Sequence, residues 1–249
     1  MYLLAIDTTG PVGGCALLNL ETEEILEKTT SEPMSHLRLL ASLMDQALRE
    51  AGARPADLAC VAASAGPGSY TGIRIGVTTA RTLGQALSIP CLKVPTLDMF
   101  RLRAKDRPAA VILNARRGQV YGALFDKGGT TVLDPGPCML TDVTAAQKQA
   151  GLRPVYYGDG IDAYLEDARW GGALREALDQ GASLAPAAER YQGAALAARY
   201  ALPLWRAGRT LDPAALLPDY MRKTEAEVRL ADGSLRRAHE EKMKRFLKA

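Results

Sequence analysis

The chain has 249 residues, of which 47% are hydrophobic and 24% are charged, and its formal net charge is +3. This length and apolar content allow one large domain or two lobes with a substantial core, and so small a net charge does not by itself indicate a nucleic-acid-binding protein. The four cysteines are widely spaced and form no Cys-x-x-Cys pair, so we expect them to be buried and reduced.

Three short apolar runs open the chain, at residues 2–6, 15–20 and 25–29, with turn-forming residues between them. They predict three strands of an antiparallel meander. The first run ends at Asp7, far short of the roughly 18 residues of a membrane span, and no basic segment precedes it. We therefore expect a cytoplasmic protein without membrane association.

A helix is predicted over residues 33–50, where Pro33 marks the start and apolar residues recur at helical spacing. Leu39 and Leu43 lie beside the main apolar stripe, so the apolar surface is wider than one core-facing stripe requires. Two interpretations stay open: a second buried face that meets a partner, or an amphipathic core helix with a few additional leucines.

A continuous apolar run at residues 58–64 predicts a strand that is covered on both faces. A glycine-rich loop follows at residues 66–72, and a helical pattern extends to residue 87. Residues 89–94 predict another strand and residues 96–103 a helix. Because a crossover helix joins the two strands, we expect them to pair in parallel.

A polar break at residues 105–108 is the best candidate for a boundary between two lobes, 1–104 and 105–249. Beyond it, residues 109–113 and 119–125 predict a hairpin. A strand that ends in a short polar turn and returns as a strand therefore opens both halves, which indicates a duplicated lobe.

The last third of the chain predicts a strand at 154–157, helices around 161–178 and 191–207, and a charged helical tail. In the tail, residues 222–249 carry nine lysines and arginines against five acids. A solvated helical face and an RNA-contacting arm both fit this pattern, and the interleaved acids favour the first.

Asp7, Thr8, Thr9 and Gly10 resemble the phosphate-binding hairpin of the actin, hexokinase and Hsp70 superfamily. In that superfamily the aspartate helps to hold a metal-bound phosphate through water, and the turn presents N–H groups and hydroxyls to phosphate oxygens. A β-turn that uses these residues only for their turn propensities explains the sequence equally well.

The glycine-rich loop at residues 66–72 leaves a buried strand and enters a helix, which is where backbone amides attract anions. It matches neither common phosphate motif. A P-loop requires lysine after the glycine, where Ile73 stands, and a dinucleotide fingerprint requires glycine at the position of Thr71. Gly72 and Gly76 lie four apart on one helix face, which favours close packing against a neighbour.

Four segments together resemble the TsaB (YeaZ) family: residues 5–9, 66–76, 114–121 and the closing 218–222. Their order and spacing also match, so the resemblance covers nearly the whole chain. It implies an actin-like, ribonuclease H-like α/β fold, in which two duplicated lobes contain mixed sheets flanked by helices. It also implies a non-catalytic subunit beside TsaD, which transfers threonylcarbamoyl from its adenylate to the adenosine next to the anticodon of ANN-decoding tRNAs, and beside the ATPase TsaE.

The sequence departs from the chemistry of TsaD at several positions. Thr96 and Phe100 stand where we place the paired metal-binding histidines of TsaD, and His36 and His239 are each isolated. Asn114 stands where the resemblance leads us to expect an aspartate, which leaves one carboxylate for a divalent ion. We therefore expect no metal, no catalytic residue and no cofactor of its own, with ATP or ADP and Mg²⁺ used by the complex.

Two groups of candidate site residues follow. The degenerate phosphate-loop positions are Asp7, Thr8, Thr9, Gly66, Gly68, Gly72 and Asn114. The candidate partner interface is Leu37, Leu40, Leu43, Met44 and Leu48, which would pair with TsaD or, in isolation, with a second copy of the chain. We expect tRNA to be contacted through the complex.

A competing hypothesis is an ATP-dependent kinase or ATPase of the same fold that uses Asp7 and the glycine loop on phosphates. A zinc metallopeptidase is disfavoured, because the sequence offers neither paired histidines nor a His-Glu-x-x-His motif.

Overall fold

The computed structural model describes residues 1–30 and 36–221, except for the side chains of His36 and Leu37. Met1–Asp219 forms one compact unit. The second unit is Tyr220–Ala249, of which only the first two residues are described. The predicted start of the first helix at Pro33, the lone His239 and the charged tail lie outside the described residues.

The first five-stranded sheet is built from the N-terminal half of the chain. Its strands are β1 (Tyr2–Asp7), β2 (Gly13–Asn19), β3 (Ile25–Thr30), β4 (Leu58–Gly66) and β5 (Cys91–Pro95), in the order β3-β2-β1-β4-β5. The first three strands pair antiparallel, and β1, β4 and β5 pair in parallel. The predicted meander and the predicted parallel pairing are both confirmed. Helices α1 (His36–Glu50) and α2 (Tyr70–Leu87) connect these strands.

The second five-stranded sheet repeats this topology. Its strands are β6 (Ala109–Asn114), β7 (Gln119–Phe125), β8 (Thr131–Met139), β9 (Val155–Tyr157) and β10 (Ser183–Leu184), in the order β10-β9-β6-β7-β8. Again an antiparallel three-strand meander is extended in parallel by two strands. The helices that follow β8 are α3 (Leu140–Gln149), α4 (Gly160–Tyr164), α5 (Gly172–Asp179) and α6 (Ala194–Arg206). The duplicated, actin-like α/β fold that the resemblance implied is therefore present.

One core cluster joins the facing surfaces of the two sheets. Leu3 and Ala5 of β1, Val111 of β6 and Ala197 of α6 belong to it, and all four are fully buried. Ile6, the residue after Ala5 in β1, points to the opposite face, towards α2. This alternation follows from the two-residue period of a strand. Helix α6 comes from the C-terminal half of the chain but packs on the first sheet. A simple division into two lobes at residue 105 therefore stays a prediction.

The structure differs from the prediction at several elements. The sequence pattern predicts neither β8 nor α3, since β8 contains two prolines and a glycine and α3 has a mostly polar sequence. The helix predicted around 161–178 is interrupted, because the Asp167 carboxylate accepts hydrogen bonds from the backbone N–H groups of Arg169 and Trp170 and ends α4 in a turn. The predicted helix at 96–103 is a 3₁₀ helix over Asp98–Arg103.

The four thiols are free: Cys15, Cys60 and Cys91 are buried and Cys138 is half-buried. No helix among the described residues has both the length and the apolar character needed to cross a membrane.

Candidate functional site

The carboxylate of Asp7 stands at the end of β1 and is fully buried. One of its oxygens accepts hydrogen bonds from the backbone N–H and the hydroxyl of Thr9, both at 2.8 Å, and the other accepts one from the hydroxyl of Ser64 at 2.8 Å. Burial raises the pKa of the Asp7 carboxyl, and the three hydrogen bonds partly oppose that rise. Both oxygens are thus used inside the fold, where they tie β1 to β4.

The Thr8–Thr9 turn and the glycine loop pack backbone against backbone. The Thr8 hydroxyl donates to the carbonyl oxygen of Gly72 at 2.6 Å, and the Ser69 N–H donates to the Thr9 carbonyl oxygen at 2.8 Å. A Cβ on Gly68 would lie 2.6 Å from the Thr9 carbonyl oxygen, and a Cβ on Gly72 would overlap the Thr8 carbonyl oxygen. The close packing that the sequence favours for Gly72 and Gly76 is therefore confirmed at Gly72, where no side chain fits.

The N-cap residue of α2 also satisfies one amide of the first helical turn. The Ser69 hydroxyl accepts a hydrogen bond from the Gly72 N–H at 3.2 Å, as an N-cap side chain does. A phosphate bound at this helix terminus would use that same donor. Ser69 therefore already satisfies one of the donors that an anion at this terminus would use.

The chain segment that ends at Asp219 covers the loop at Gly66. The Asp219 N–H donates to the Ala65 carbonyl oxygen at 2.7 Å, and Lys93 Nζ lies 3.4 Å from the Asp219 carboxylate. A Cβ on Gly66 would overlap the Asp219 carbonyl oxygen. The closing 218–222 motif could be read from the sequence, but its contact with Gly66 depends on a pairing across about 150 residues that no local pattern encodes.

Asn114 stands at the end of β6, the strand that corresponds to β1 in the second sheet. Its side-chain oxygen accepts hydrogen bonds from the Arg116 N–H at 2.8 Å and from the Tyr164 hydroxyl at 3.0 Å. Its own N–H donates to the Asp159 carboxylate at 2.9 Å. Asp159 is not among the site residues predicted from the sequence, and burial raises the pKa of its carboxyl.

Thr96 and Phe100, the positions at which the resemblance places histidines in TsaD, are both fully buried. The Thr96 hydroxyl has no hydrogen-bond partner among the described residues, and the Phe100 ring packs 5.8 Å from the ring of Tyr157. Across residues 1–30 and 36–221, no group of three or more His, Cys, Asp or Glu side chains could hold a metal ion.

Helix α1 divides its apolar residues between two environments. Leu40, Met44 and Leu48 are buried within the chain itself, where α1 packs on β2 and β3. Leu39 and Leu43 are only half-buried. Contact of the predicted interface residues with a partner stays a prediction. Because three of them are buried within the chain, a partner could contact only the face of α1 that contains Leu39 and Leu43. The side chain of Leu37 is outside the described set.

Replacement of Ser64 with alanine is expected to lower the free energy of unfolding by about 1–3 kcal/mol, because it leaves one buried oxygen of Asp7 without a donor. The loss should be greater at pH 7 than at pH 4. The folded pKa of Asp7 is raised, so its contribution to stability is present below the unfolded pKa and falls as the pH rises through the folded pKa. Without the Ser64 hydroxyl, which lowers this pKa, the fall should continue to a higher pH, so the total loss of stability should be larger.

Urea unfolding at the two pH values measures this effect. Ser42→Ala is the matched control, because Ser42 lies on the exposed side of α1 and its loss should change stability by less than about 0.5 kcal/mol. An equal, small effect at both positions would contradict the structural role of the Asp7–Ser64 hydrogen bond.

The duplicated sheets, with Asp7 and Asn114 at corresponding strand ends, define an actin-like α/β protein in which the Thr8–Thr9 turn and the glycine loop contact each other. The family model of TsaD, tRNA N6-adenosine threonylcarbamoyltransferase, matches residues 25–158. The Bacillus subtilis tRNA threonylcarbamoyladenosine biosynthesis protein TsaB is 32% identical over 234 residues, which cover 92% of this chain and 97% of that protein. The chain therefore belongs to the TsaB family, which functions in the biosynthesis of this modified nucleoside in tRNA.

Two solved structures from Pseudomonas aeruginosa have the same fold. YeaZ superposes with a TM-score of 0.65 at 22% identity and covers 88% of this chain and 100% of its own. An uncharacterized protein with similarity to peptidase YEAZ gives a TM-score of 0.68 at 23% identity and covers 89% of this chain and 99% of its own.

Proposed function

We propose that this chain is a non-catalytic partner subunit in the synthesis of tRNA threonylcarbamoyladenosine, that it binds TsaD, and that it acts with TsaD and TsaE in the cytoplasm. The observation that carries the proposal is the closure of the phosphate loops upon themselves: Asp7 is bonded to Thr9 and Ser64, and Ser69 caps α2. A subunit built in this way contributes surface to an assembly, whereas the transfer chemistry belongs to TsaD.

Nucleotide chemistry of its own would require groups that face a ligand. A kinase or ATPase of this fold would need the Asp7 carboxylate to reach a metal-bound phosphate, but both of its oxygens accept hydrogen bonds inside the fold. At the second strand end an amide, Asn114, replaces the expected acid. ATP or ADP and Mg²⁺ accordingly belong to the partners in this proposal.

The apolar face of α1 that contains Leu39 and Leu43 is the surface we assign to TsaD. The exposed residues of the same helix include Arg38 and the Arg49–Asp45 ion pair, so the half-buried leucines have polar surroundings, as at an interface with an apolar centre and a polar rim. Without TsaD, the same face would pair with a second copy of the chain, since a two-fold interface uses one patch twice.

Gel filtration of the purified chain with TsaD from the same organism tests the proposal. We expect the two proteins to elute together and the chain alone to elute as a dimer. Calorimetric titration with ATP and Mg²⁺ is the second arm. Micromolar binding with turnover by the chain alone, together with separate elution of the two proteins, would overturn the partner role in favour of the enzyme.

A further inference from the structure

The turn between β6 and β7 presents two arginines in a backbone conformation that arginine rarely adopts. Arg116, Arg117 and Gly118 have φ values of 67°, 56° and 76°, so three successive residues are left-handed. Glycine and asparagine reach this region readily, whereas a longer side chain is disfavoured there. Both arginines are exposed, so burial in a core does not explain why arginine occupies these positions.

The surrounding hydrogen bonds fix the turn in this conformation. The Arg116 N–H donates to the side chain of Asn114, and the Gln119 N–H donates to the Arg116 carbonyl oxygen at 3.0 Å. The hydroxyl of Tyr164 bonds both Asn114 and the Gln119 carbonyl oxygen, at 3.0 and 2.9 Å. Strained residues held by such a network are concentrated at functional sites.

A third arginine is held beside the turn. The indole of Trp170 lies directly against Gly118, which has no space for a Cβ on that side. The guanidinium carbon of Arg169 lies 4.6 Å from the centre of the Trp170 ring, within the range of a cation–π contact. The arginine cluster, defined as Arg116, Arg117 and Arg169, therefore spans the hairpin tip and the adjoining loop.

The acids near the arginine cluster leave its positive charge uncompensated. Among the described residues, the guanidinium groups of the cluster form no ion pair and no hydrogen bond. Asp167 accepts the backbone N–H groups of Arg169 and Trp170, and Asp159 is largely buried beside Asn114. Glu166 is exposed in the same loop. Three guanidinium groups without an ion pair in the described part of the chain therefore face solvent, with one exposed acid, Glu166, and two partly buried acids, Asp159 and Asp167, nearby.

We propose that the arginine cluster binds the phosphate backbone of tRNA. Guanidinium groups match phosphate oxygens in bidentate geometry. Two of them on an exposed hairpin tip and a third in the adjoining loop suit successive phosphates along a strand, a contact that positions an RNA without reading its bases. The inference rests on the proposed function, because a subunit that acts in tRNA modification meets tRNA as its polyanionic partner. It goes beyond that function, because the chain itself then contacts the RNA.

The test compares tRNA binding by the full-length chain and by the double variant Arg116→Asn/Arg117→Asn. Asparagine tolerates the left-handed backbone, so the variant should keep or raise the melting temperature while it loses two charges. Fluorescence anisotropy with an unmodified transcript of an ANN-decoding tRNA gives the affinity between about 50 and 200 mM salt. We expect the variant to bind about tenfold more weakly at the lowest salt, with a salt slope reduced by about two units.

Arg153→Gln/Arg209→Gln is the matched control, since both residues are exposed, lie elsewhere on the chain and form no ion pair among the described residues. It should change the affinity by less than about twofold if the cluster carries the contact. Absence of tRNA binding by the unmodified chain, or equal slopes for the chain and the double variant, would overturn the inference. Gel filtration of the double variant with TsaD separates the two proposals: co-elution with unaltered tRNA binding refutes only the RNA contact.

Discussion

Gly72→Ala is expected to lower the free energy of unfolding by about 3 kcal/mol, at the upper end of the range for overpacked sites. A Cβ on this residue would overlap the carbonyl oxygen of Thr8 and lie 2.9 Å from its carbonyl carbon. The obstacle is backbone that is already held, because the Thr8 hydroxyl donates to the Gly72 carbonyl oxygen. Relief would require the β1–β2 turn to move away from α2.

Gly172→Ala is the matched control for this experiment. Gly172 is the first residue of α5, its φ is not left-handed and nothing lies within 4 Å of the position that a Cβ would take. Alanine there should be neutral or stabilising by up to about 1 kcal/mol. Urea unfolding followed by circular dichroism gives both values. If Gly72→Ala is as stable as the control, the glycine loop is not closed by packing and a phosphate cradle becomes tenable.

Leu43→Glu is expected to weaken the binding of TsaD at least about 100-fold, which corresponds to about 2.7 kcal/mol. Leu43 is half-buried on the face of α1 that the chain's own sheet leaves partly uncovered. A carboxylate introduced there would be taken out of water by the partner without a cation to pair with it. Met44→Glu is unsuitable for this purpose, because Met44 is only 9% exposed and its replacement would disturb the fold itself.

Calorimetric titration of TsaD measures this loss, and Val132→Glu provides the matched control. Val132 is an apolar residue of β8, 39% exposed, on the second sheet. The same substitution there should leave the affinity within about twofold, and both variants should keep the melting temperature of the unmodified chain. Full affinity in the Leu43 variant would show that TsaD does not bind this face of α1.

The sequence alone predicts those elements of the fold that a local hydrophobic or turn pattern determines. β4 could be predicted because residues 58–64 form a nearly continuous apolar run, and all nine residues of the strand are indeed buried; the β6–β7 hairpin could be predicted because two strands flank a polar turn. β8 could not, since it is an edge strand whose register with β7 shifts around Gly122 and Leu124. Its Pro and Gly residues contradict the usual strand propensities, and it is stabilised by pairing with β7 and by packing of α3, which a local pattern does not encode.

The candidate site shows the same limit at the level of single side chains. A pattern identifies Asp7 as an acid at a strand end, but whether it faces a ligand or the interior depends on Ser64, which is 57 residues away. Likewise, Asp159 becomes the neighbour of Asn114 only through the parallel pairing of β6 with β9. The glycine loop could be a phosphate site or a packing contact, and the sequence alone does not distinguish the two. The contacts of the loop with Thr8 and Ser69 favour packing.

The central claim is that the chain supports threonylcarbamoyl transfer without phosphate chemistry of its own. The most direct measurement is the amount of threonylcarbamoyladenosine formed in a tRNA transcript by TsaD and TsaE with ATP and preformed threonylcarbamoyl-adenylate. It is made without the chain, with the unmodified chain and with Asp7→Asn. In this variant the oxygen of the introduced amide can accept the hydrogen bonds that Thr9 donates, and the Ser64 hydroxyl can turn to accept one from the amide nitrogen.

We predict product only when the chain is present, with the unmodified chain and Asp7→Asn equal within about twofold. Product in the absence of the chain would contradict the claim. So would a loss of about 100-fold or more in an Asp7→Asn variant that folds and still binds TsaD.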